Sequence, residues 1–161
     1  MTASKRFKIQ CASPSDRETI YRIRHDVYAQ ELGQHTPTPG AALCDALDAC
    51  NDYIVAKIGE TIAGFISITP PDAERFSLDK YLPRKEWPVV PDNGLYEIRL
   101  LTVVEACRRR ELAALLMYAA FRWVESRGGT HIVAIGRREI KSLYLKAGLR
   151  GSGQEIQSGK V

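Results

Sequence analysis

The stretch that most constrains the fold runs from residue 94 to residue 129, where a strand pattern passes into a helical one. Residues 94–104 (GLYEIRLLTVV) form a nearly continuous apolar run, which is typical of a buried strand. Residues 109–127 repeat apolar side chains at helical spacing, at Leu112, Leu116, Ala119 and Trp123. The sequence therefore predicts a strand, a short turn and a helix in immediate succession.

The patterns on either side add further strands and helices. Strands are predicted at residues 6–11, 52–58, 61–69 and 130–135, and a last strand begins after Gly148. Helices are predicted from a Ser15-x-x-Glu18 capping box to Gly33, and over residues 138–147. Residues 70–93 hold five of the eight prolines and are expected to form a surface excursion with one helical turn around 76–82.

The order of these elements, β-α-β-β-β-α-β-α-β, predicts an α+β fold with a mixed, central β-sheet flanked by helices on both faces. A chain of 161 residues is long enough for one domain with a real core. Because the chain stops where a final edge strand would be under way, a fragment of a longer polypeptide is also expected.

Composition excludes several classes of protein. The net charge of +4 is too small to indicate a nucleic-acid binder, and it suits a small anionic ligand equally well. No apolar run approaches the ~18 residues of a membrane span, and MTASKRFKIQ is not followed by the apolar core of a secretory signal. A cytoplasmic protein with four reduced, buried cysteines is therefore expected. No metal is expected, because His25, His35, Cys44 and Cys50 match no known ligand spacing.

Three consecutive arginines, Arg108 to Arg110, stand where the strand turns into the helix. A helix N-terminus carries unpaired N–H groups and a partial positive charge, so more positive charge is unfavourable there unless an anion is bound. Backbone N–H groups and arginines together form a good site for a diphosphate. The alternative interpretation is a solvated helix start.

The segment LLTVVEACRRRELAALLMYAAFRWVESRG resembles the acyl-CoA-binding strand, turn and helix of the GNAT superfamily of N-acyltransferases. That family opens the helix with Arg-x-x-Gly-x-Gly/Ala; here Arg108 and Ala113 match, and Glu111 replaces the glycine. A carboxylate near a diphosphate is repulsive, so Glu111 must turn away if a donor binds. The resemblance implies that the donor, acyl-CoA (acetyl-CoA), contacts Thr102, Val103, Val104, Arg108, Arg109, Arg110, Glu111, Leu112 and Ala113.

A second motif, LYLKAGL at residues 143–149, is similar to the family's Leu-Tyr-x-Lys-x-Gly-Phe. The tyrosine of that motif lies near the thioester sulfur and can protonate the departing thiolate. The resemblance implies this catalytic role for Tyr144. The alternative is a tyrosine that only fills the core.

The acceptor amine must lose a proton before it attacks the thioester, and Glu97 is the predicted base, acting through water. By strict alternation, Glu97, Arg99, Leu101 and Val103 share one face of their strand. An ion pair with Arg99 would lower the pKa of Glu97 and leave it only a structural role. Both interpretations of Glu97 stay open at this point.

The N-terminal half (YRIRHDVYAQELGQ, then LCDALDACNDYIVAKIGETIAGFISITP) is similar to the N-acyl homoserine lactone synthases and N-acyl amino acid synthases. The similarity implies substrate contacts at Arg24, Tyr28, Asp45, Asp48 and Arg99. This chain differs from those synthases at three positions. It has Gln34 where they have tryptophan and Ser67 where they have arginine, and Arg99 stands one place earlier than the arginine of their strand. Asp45 and Asp48 would suit an amine, or they could simply cap a helix.

The expected function is transfer of an acyl group from acyl-CoA to a primary amine of a small acceptor. One alternative is an N-acyl amino acid or acyl homoserine lactone-type synthase that uses acyl carrier protein. Another is a non-catalytic GNAT-like binding module of a larger protein. Neither a nucleic acid nor a membrane is expected as a partner, and a monomer or homodimer is expected.

Overall fold

A five-stranded sheet forms the centre of the computed structural model, which describes residues 6–31, 40–108 and 110–156. The strands follow their order in the sequence across the sheet. The first four pair antiparallel and the fifth pairs parallel to the fourth. They are β1 (Lys8–Cys11), β2 (Asp52–Ile58), β3 (Thr61–Thr69), β4 (Leu95–Val103) and β5 (His131–Ala134).

Helix α1 (Pro14–Arg24) begins one residue before the predicted capping box. The Ser13 hydroxyl accepts a hydrogen bond from the Asp16 amide (3.2 Å), and the Asp16 carboxylate accepts one from the Ser13 amide (2.9 Å). The prediction of a Ser15-x-x-Glu18 box was therefore wrong. Proline suits the first position of a helix because the N–H it lacks would have no partner there, so Ser13 becomes the cap.

The remaining helices differ from the predictions mainly at their ends. After Arg24 the backbone widens into a π-helical segment, His25–Glu31, and the predicted end at Gly33 lies outside the described residues. The predicted helix over 138–147 is a 3₁₀ turn followed by a shorter α-helix. The other α-helices are α2 (Arg110–Ser126) and α3 (Lys141–Lys146), and the 3₁₀ turns are Ala46–Ala49, Ser77–Lys80, Arg84–Glu86, Glu105–Cys107 and Arg138–Ile140.

The sheet has helices on both faces, which confirms the predicted α+β architecture. Ile54 and Ala56 of β2 share a core with α2 and with Tyr144 of α3, while the alternate residues Tyr53 and Val55 pack with Ile20 of α1. The excursion that follows β3 contributes a third cluster, centred on Phe76, Leu78, Trp87, Leu95 and Val133. The buried stripe of α2 consists of Leu112, Leu116, Met117, Ala120 and Val124, with the predicted Ala119 and Trp123 only partly buried.

A β-bulge in β4 shapes the middle of the sheet. Ser67 of β3 lies opposite Arg99 and Phe65 lies opposite Thr102, so Leu100 and Leu101 together face a single residue. Leu100 adopts a φ of 57°, a conformation that leucine rarely adopts. The extra residue reverses the alternation of the strand. Leu101 and Val103 therefore pack towards α2, and the prediction that they share a face with Glu97 and Arg99 was wrong.

The fourth and fifth strands separate immediately before this bulge. Their parallel pairing ends at Ile98 and Ala134, whereas β4 continues to Val103. Because β5 ends at Ala134, the edge of β4 that faces away from β3 has no strand partner among the described residues at 99–103, and this unpaired edge is called the gap below. Beyond Gly148, residues 149–156 contain no strand, and residues 157–161 lie outside the described part. No helix of the described residues is long and apolar enough to cross a membrane.

Candidate active site

The mouth of the gap lies at the end of β4. Val104 donates its amide to the Ala63 carbonyl of β3 (2.9 Å), so the preceding carbonyl, that of Val103, points away from β3. Arg108 reaches back and donates from Nε to this carbonyl (3.1 Å). The first of the three arginines thus lies directly at the mouth of the gap.

Helix α2 begins two residues after Arg108, next to this mouth. The Glu111 side chain is exposed, while Leu112 is anchored in the core and Ala113 is half-buried. Arg110 is the first helical residue, and Arg109 lies outside the described residues. A helix leaves the backbone N–H groups of its first turn without partners inside the helix, so those of α2 are candidates for binding an anion.

Tyr144 stands on the α2 side of the gap. Its ring lies so close to Gly136 that a Cβ at that position would come within 2.6 Å of the ring, and the residue is only 8% exposed. Burial, with a smaller contribution from the neighbouring Tyr28, raises the pKa of Tyr144 to about 12 against the opposing effect of Arg137. The tyrosine is therefore fully protonated at neutral pH.

Tyr28 approaches the same gap from the α1 side. The Thr102 hydroxyl donates to the Leu100 carbonyl at the bulge (2.8 Å), so Tyr28 must be the donor in its 3.0 Å hydrogen bond to Thr102. Burial raises the pKa of the Tyr28 hydroxyl, and the Thr102 hydrogen bond and Arg137 oppose that rise. Tyr28, bonded to Thr102, and Tyr144, packed in the α2-side core, are thus close enough to influence each other electrostatically. The motif analysis gave no role to Arg137.

Glu97 is fully buried and does not pair with Arg99. Its Oε1 accepts from the Ser77 amide (3.0 Å) and the Ser77 hydroxyl (2.7 Å), and its Oε2 accepts from the Leu78 amide (3.2 Å). Burial raises the pKa of Glu97 against these hydrogen bonds and against a weaker contribution from Arg99. Of the two interpretations of Glu97, the structural ion pair with Arg99, with the lowered pKa that it implied, was wrong.

The partner of Arg99 is Asp45, in the loop before β2. Arg99 Nη2 donates to both carboxylate oxygens of Asp45 (2.7 and 2.8 Å), and Arg24 Nη2 donates to Asp45 Oδ2 at 3.1 Å. Arg24 Nη1 also contacts Asp48 Oδ2 at 2.7 Å and the Tyr53 hydroxyl at 3.1 Å. Burial alone would raise the pKa of Asp45, but the two arginines hold it below its usual value.

Asp45 and Asp48 also form a capping box on the 3₁₀ turn Ala46–Ala49. Asp45 accepts from the Leu47 amide (2.9 Å), and Asp48 accepts from the Asp45 amide (2.6 Å). Ser67, where the similar synthases carry arginine, accepts a hydrogen bond from Asn51 (2.6 Å). Both carboxylates are therefore already neutralised by Arg24 and Arg99, which favours the capping role over direct binding of an amine.

A cavity of about 330 Å³ opens beside this network, on the α1 face of the sheet. Its walls are two loop segments and one side chain of β4. They are Asp45, Ala46 and Leu47 on one side, Arg75, Phe76, Ser77, Asp79 and Lys80 on the other, and Arg99. Ser77, which lies in the proline-rich excursion, carries no motif and was missed by the sequence analysis.

Within the described ranges, no group of three or more His, Cys, Asp or Glu residues could hold a metal ion. His35, one of the four residues considered for zinc, lies outside those ranges. The cysteines are free thiols, and the prediction that they are buried was wrong, since Cys11, Cys44 and Cys50 are exposed.

Comparison with known families identifies the class of protein to which this fold and gap belong. The profile of the acetyltransferase (GNAT) family matches residues 17–153. The chain therefore belongs to the acetyltransferase (GNAT) family, whose members are acyltransferases. A search of curated proteins gave no match.

Solved structures share the fold at low sequence identity. A CoA-dependent acyl-homoserine lactone synthase, BjaI, with SAM and isopentyl-CoA is 21% identical, with a TM-score of 0.77 over 89% of this chain and 72% of its own. The AHL synthase LasI is 12% identical, with a TM-score of 0.75 over 91% and 80%. AAC(6')-Iy, in complex with the bisubstrate analogue CoA-S-monomethyl-acetylneamine, is 14% identical, with a TM-score of 0.66 over 97% and 99%. The fold is thus shared by acyl-homoserine lactone synthases and by acetyltransferases.

Proposed function

We propose that the protein is an N-acyltransferase that moves an acyl group from acyl-CoA to a primary amine of a small acceptor in the cytoplasm. The observation that carries this proposal is the gap beside residues 99–103. It lies between the start of α2, which follows β4 closely in the chain, and Tyr144 of α3, which shares the α2-side core with Leu101 and Val103. A monomer or homodimer is sufficient for this chemistry, because every residue invoked belongs to one chain.

The donor binds with its diphosphate at the start of α2. The backbone N–H groups of the first turn and Arg108 to Arg110 supply positive potential there, and the exposed Glu111 side chain must turn away from the diphosphate. The pantetheine arm then pairs with the backbone at residues 102–104, along the edge of β4 that faces away from β3. Arg108 must release the Val103 carbonyl for this pairing, and the diphosphate is the stronger partner for its guanidinium.

The reaction proceeds within the gap. The neutral amine attacks the thioester carbonyl, a backbone N–H of β4 stabilises the oxyanion, and the C–S bond breaks. Tyr144 gives its proton to the departing thiolate, and its pKa of about 12 ensures that it holds that proton at neutral pH. Glu97 takes the proton that the ammonium loses before attack, and its raised pKa makes it a stronger base than an ordinary glutamate. The second proton, which the nitrogen loses after attack, replaces the one that Tyr144 gave to the thiolate.

Binding of the donor can be tested by thermal shift. Coenzyme A at ~100 times its dissociation constant should stabilise the protein by about 2.7 kcal/mol. The double substitution Arg108→Ala and Arg109→Ala should remove most of this shift, because it deletes charge at the diphosphate site. The matched control is Arg6→Ala with Arg22→Ala, which removes two exposed arginines elsewhere. A shift that persists in the first variant would exclude the proposed diphosphate site.

The pH dependence tests Glu97. The base acts only when deprotonated, so kcat/KM should rise with pH and level off above a pKa that lies higher than that of a free glutamate. Glu97→Gln should abolish this limb and lower kcat by about 10²-fold or more. Glu86→Gln, an exposed carboxylate on the same excursion, is the control. An unchanged limb in Glu97→Gln would assign the base to another group.

A second candidate function is an N-acyl amino acid or acyl homoserine lactone-type synthase that takes its donor from acyl carrier protein. The observation that favours it is the ion-pair network of Arg24, Asp45, Asp48 and Arg99, which joins the positions carried over from those synthases. Rates with acetyl-CoA, long-chain acyl-CoA and acyl-carrier protein separate the two candidates. Binding of coenzyme A without transfer to any amine would instead indicate a non-catalytic module.

A further inference from the structure

We propose that the cavity between residues 45–47 and 75–80 is the acceptor site, that it takes an amine that also carries a carboxylate, and that Ser77 relays the proton of the amine to Glu97. This inference rests on the proposed acyltransferase function. It assigns to the acceptor a site separate from the donor groove and gives Ser77 a place in the reaction.

Arg99 connects the cavity with the gap, because it lines the cavity and is also the first residue of β4 beyond the pairing with β5. Arg99 follows Ile98, the last residue of β4 that pairs with β5, and its side chain points to the α1 face. The donor groove begins at α2 and Tyr144, on the opposite face. An acceptor in the cavity and a thioester in the gap therefore approach each other from opposite sides of the sheet.

The charges of the lining favour an acceptor with an anionic group. Asp45 is bound by two arginines, and Asp79 is bound by Arg84 through two hydrogen bonds of 2.9 and 3.0 Å. Arg75 and Lys80 form no ion pair with the described carboxylates, and Arg99 uses only Nη2 for Asp45. A lone ammonium would be repelled here, whereas a carboxylate elsewhere on the acceptor offsets that repulsion.

Ser77 joins the cavity to the buried base. Ser77 lines the cavity and its hydroxyl donates to Glu97 Oε1 at 2.7 Å, while Glu97 itself has no exposed surface. The serine oxygen keeps lone pairs that can accept a hydrogen bond from an ammonium. In the relay, the ammonium gives a proton to Ser77 Oγ, and Ser77 gives its own proton to Glu97 Oε1. The amine leaves neutral, serine is regenerated and the carboxylate becomes a carboxylic acid.

The carboxylate preference is tested with four α-amino acids (alanine, leucine, methionine and phenylalanine) and their carboxamides, each with acetyl-CoA and octanoyl-CoA. The acid should exceed its amide in kcat/KM by about tenfold to hundredfold for the accepted side chain. Arg75→Gln with Lys80→Gln should reduce this ratio, and Lys8→Gln with Lys85→Gln, which removes the same charge elsewhere, should not. Equal rates for acid and amide, or no amino acid accepted by a protein that binds coenzyme A, would overturn this assignment and leave the donor site standing.

The relay is tested with Ser77→Ala and Ser77→Thr. The alanine variant keeps the two backbone hydrogen bonds to Glu97, so it should fold, yet kcat should fall by about 10²-fold while the KM for the donor stays constant. Threonine should restore most of the rate. Adding Ser77→Ala to Glu97→Gln should cause no further loss, because one pathway is already broken. Full activity in Ser77→Ala, or additive losses, would exclude the relay; failure of coenzyme A to bind wild type would instead count against the acyltransferase proposal itself.

Discussion

Arg24→Met is expected to lower the free energy of unfolding by roughly 3–5 kcal/mol, because it removes one partner from a buried ion pair. Arg24 is 3% exposed and donates to Asp45, Asp48 and Tyr53. Methionine fills a similar volume but leaves the buried Asp48 carboxylate without its cation. That uncompensated charge causes most of the loss.

Urea unfolding at neutral pH measures this effect. Arg22→Met is the matched control, since Arg22 lies on the same helix, is exposed and belongs to none of the described ion pairs. In an Asp48→Asn background the cost of Arg24→Met should shrink, because the carboxylate that needs neutralising has been removed. A loss below about 1 kcal/mol in the single variant would show that solvent or neighbouring groups replace Arg24.

Tyr144→Phe is expected to lower kcat by about 10²- to 10⁴-fold, the usual contribution of a positioned general acid. The ring still packs on Gly136, so the fold and the affinity for coenzyme A should be unchanged. The thiolate must then leave without a proton, which affects the chemical step and not donor binding.

Steady-state rates and coenzyme A titration of the same preparation separate the two effects. Tyr118→Phe, on the exposed surface of α2, is the control for loss of a tyrosine hydroxyl. If Tyr144→Phe turns over at the wild-type rate, Tyr144 is a core residue and the thiolate leaves by another route. If affinity falls with rate, the hydroxyl instead contributes to donor binding.

Local patterns predicted most of the fold. The hairpin over residues 52–69 and the strand before the arginines were recognised because their apolar side chains repeat at strand spacing between turn residues. Helix α2 was recognised because its apolar stripe is long. The ends of the helices were predicted less accurately. At α1, either Ser13 or Ser15 could cap the helix, and Pro14 at the first helical position makes Ser13 the cap.

Residue contacts within the site were predicted less well than the positions of its motifs. Strict alternation placed Leu101 and Val103 beside Glu97, but the bulge at Leu100 reverses the strand. One of the two interpretations of Glu97 paired it with Arg99, two residues away, yet Arg99 pairs with Asp45, which is 54 residues distant in sequence. The catalytic and donor-binding roles of the motif residues remain predictions that the variants above will test.

The sequence by itself determined the order of strands and helices, the mixed sheet and the motifs that mark the family, because periodicity and capping act over a few neighbouring residues. Only the tertiary structure decided where the pairing of β4 with β5 ends, which arginines neutralise Asp45, and that Ser77 donates hydrogen bonds to Glu97. Those contacts join segments that are distant in the chain, and they depend on packing and burial that no local pattern encodes.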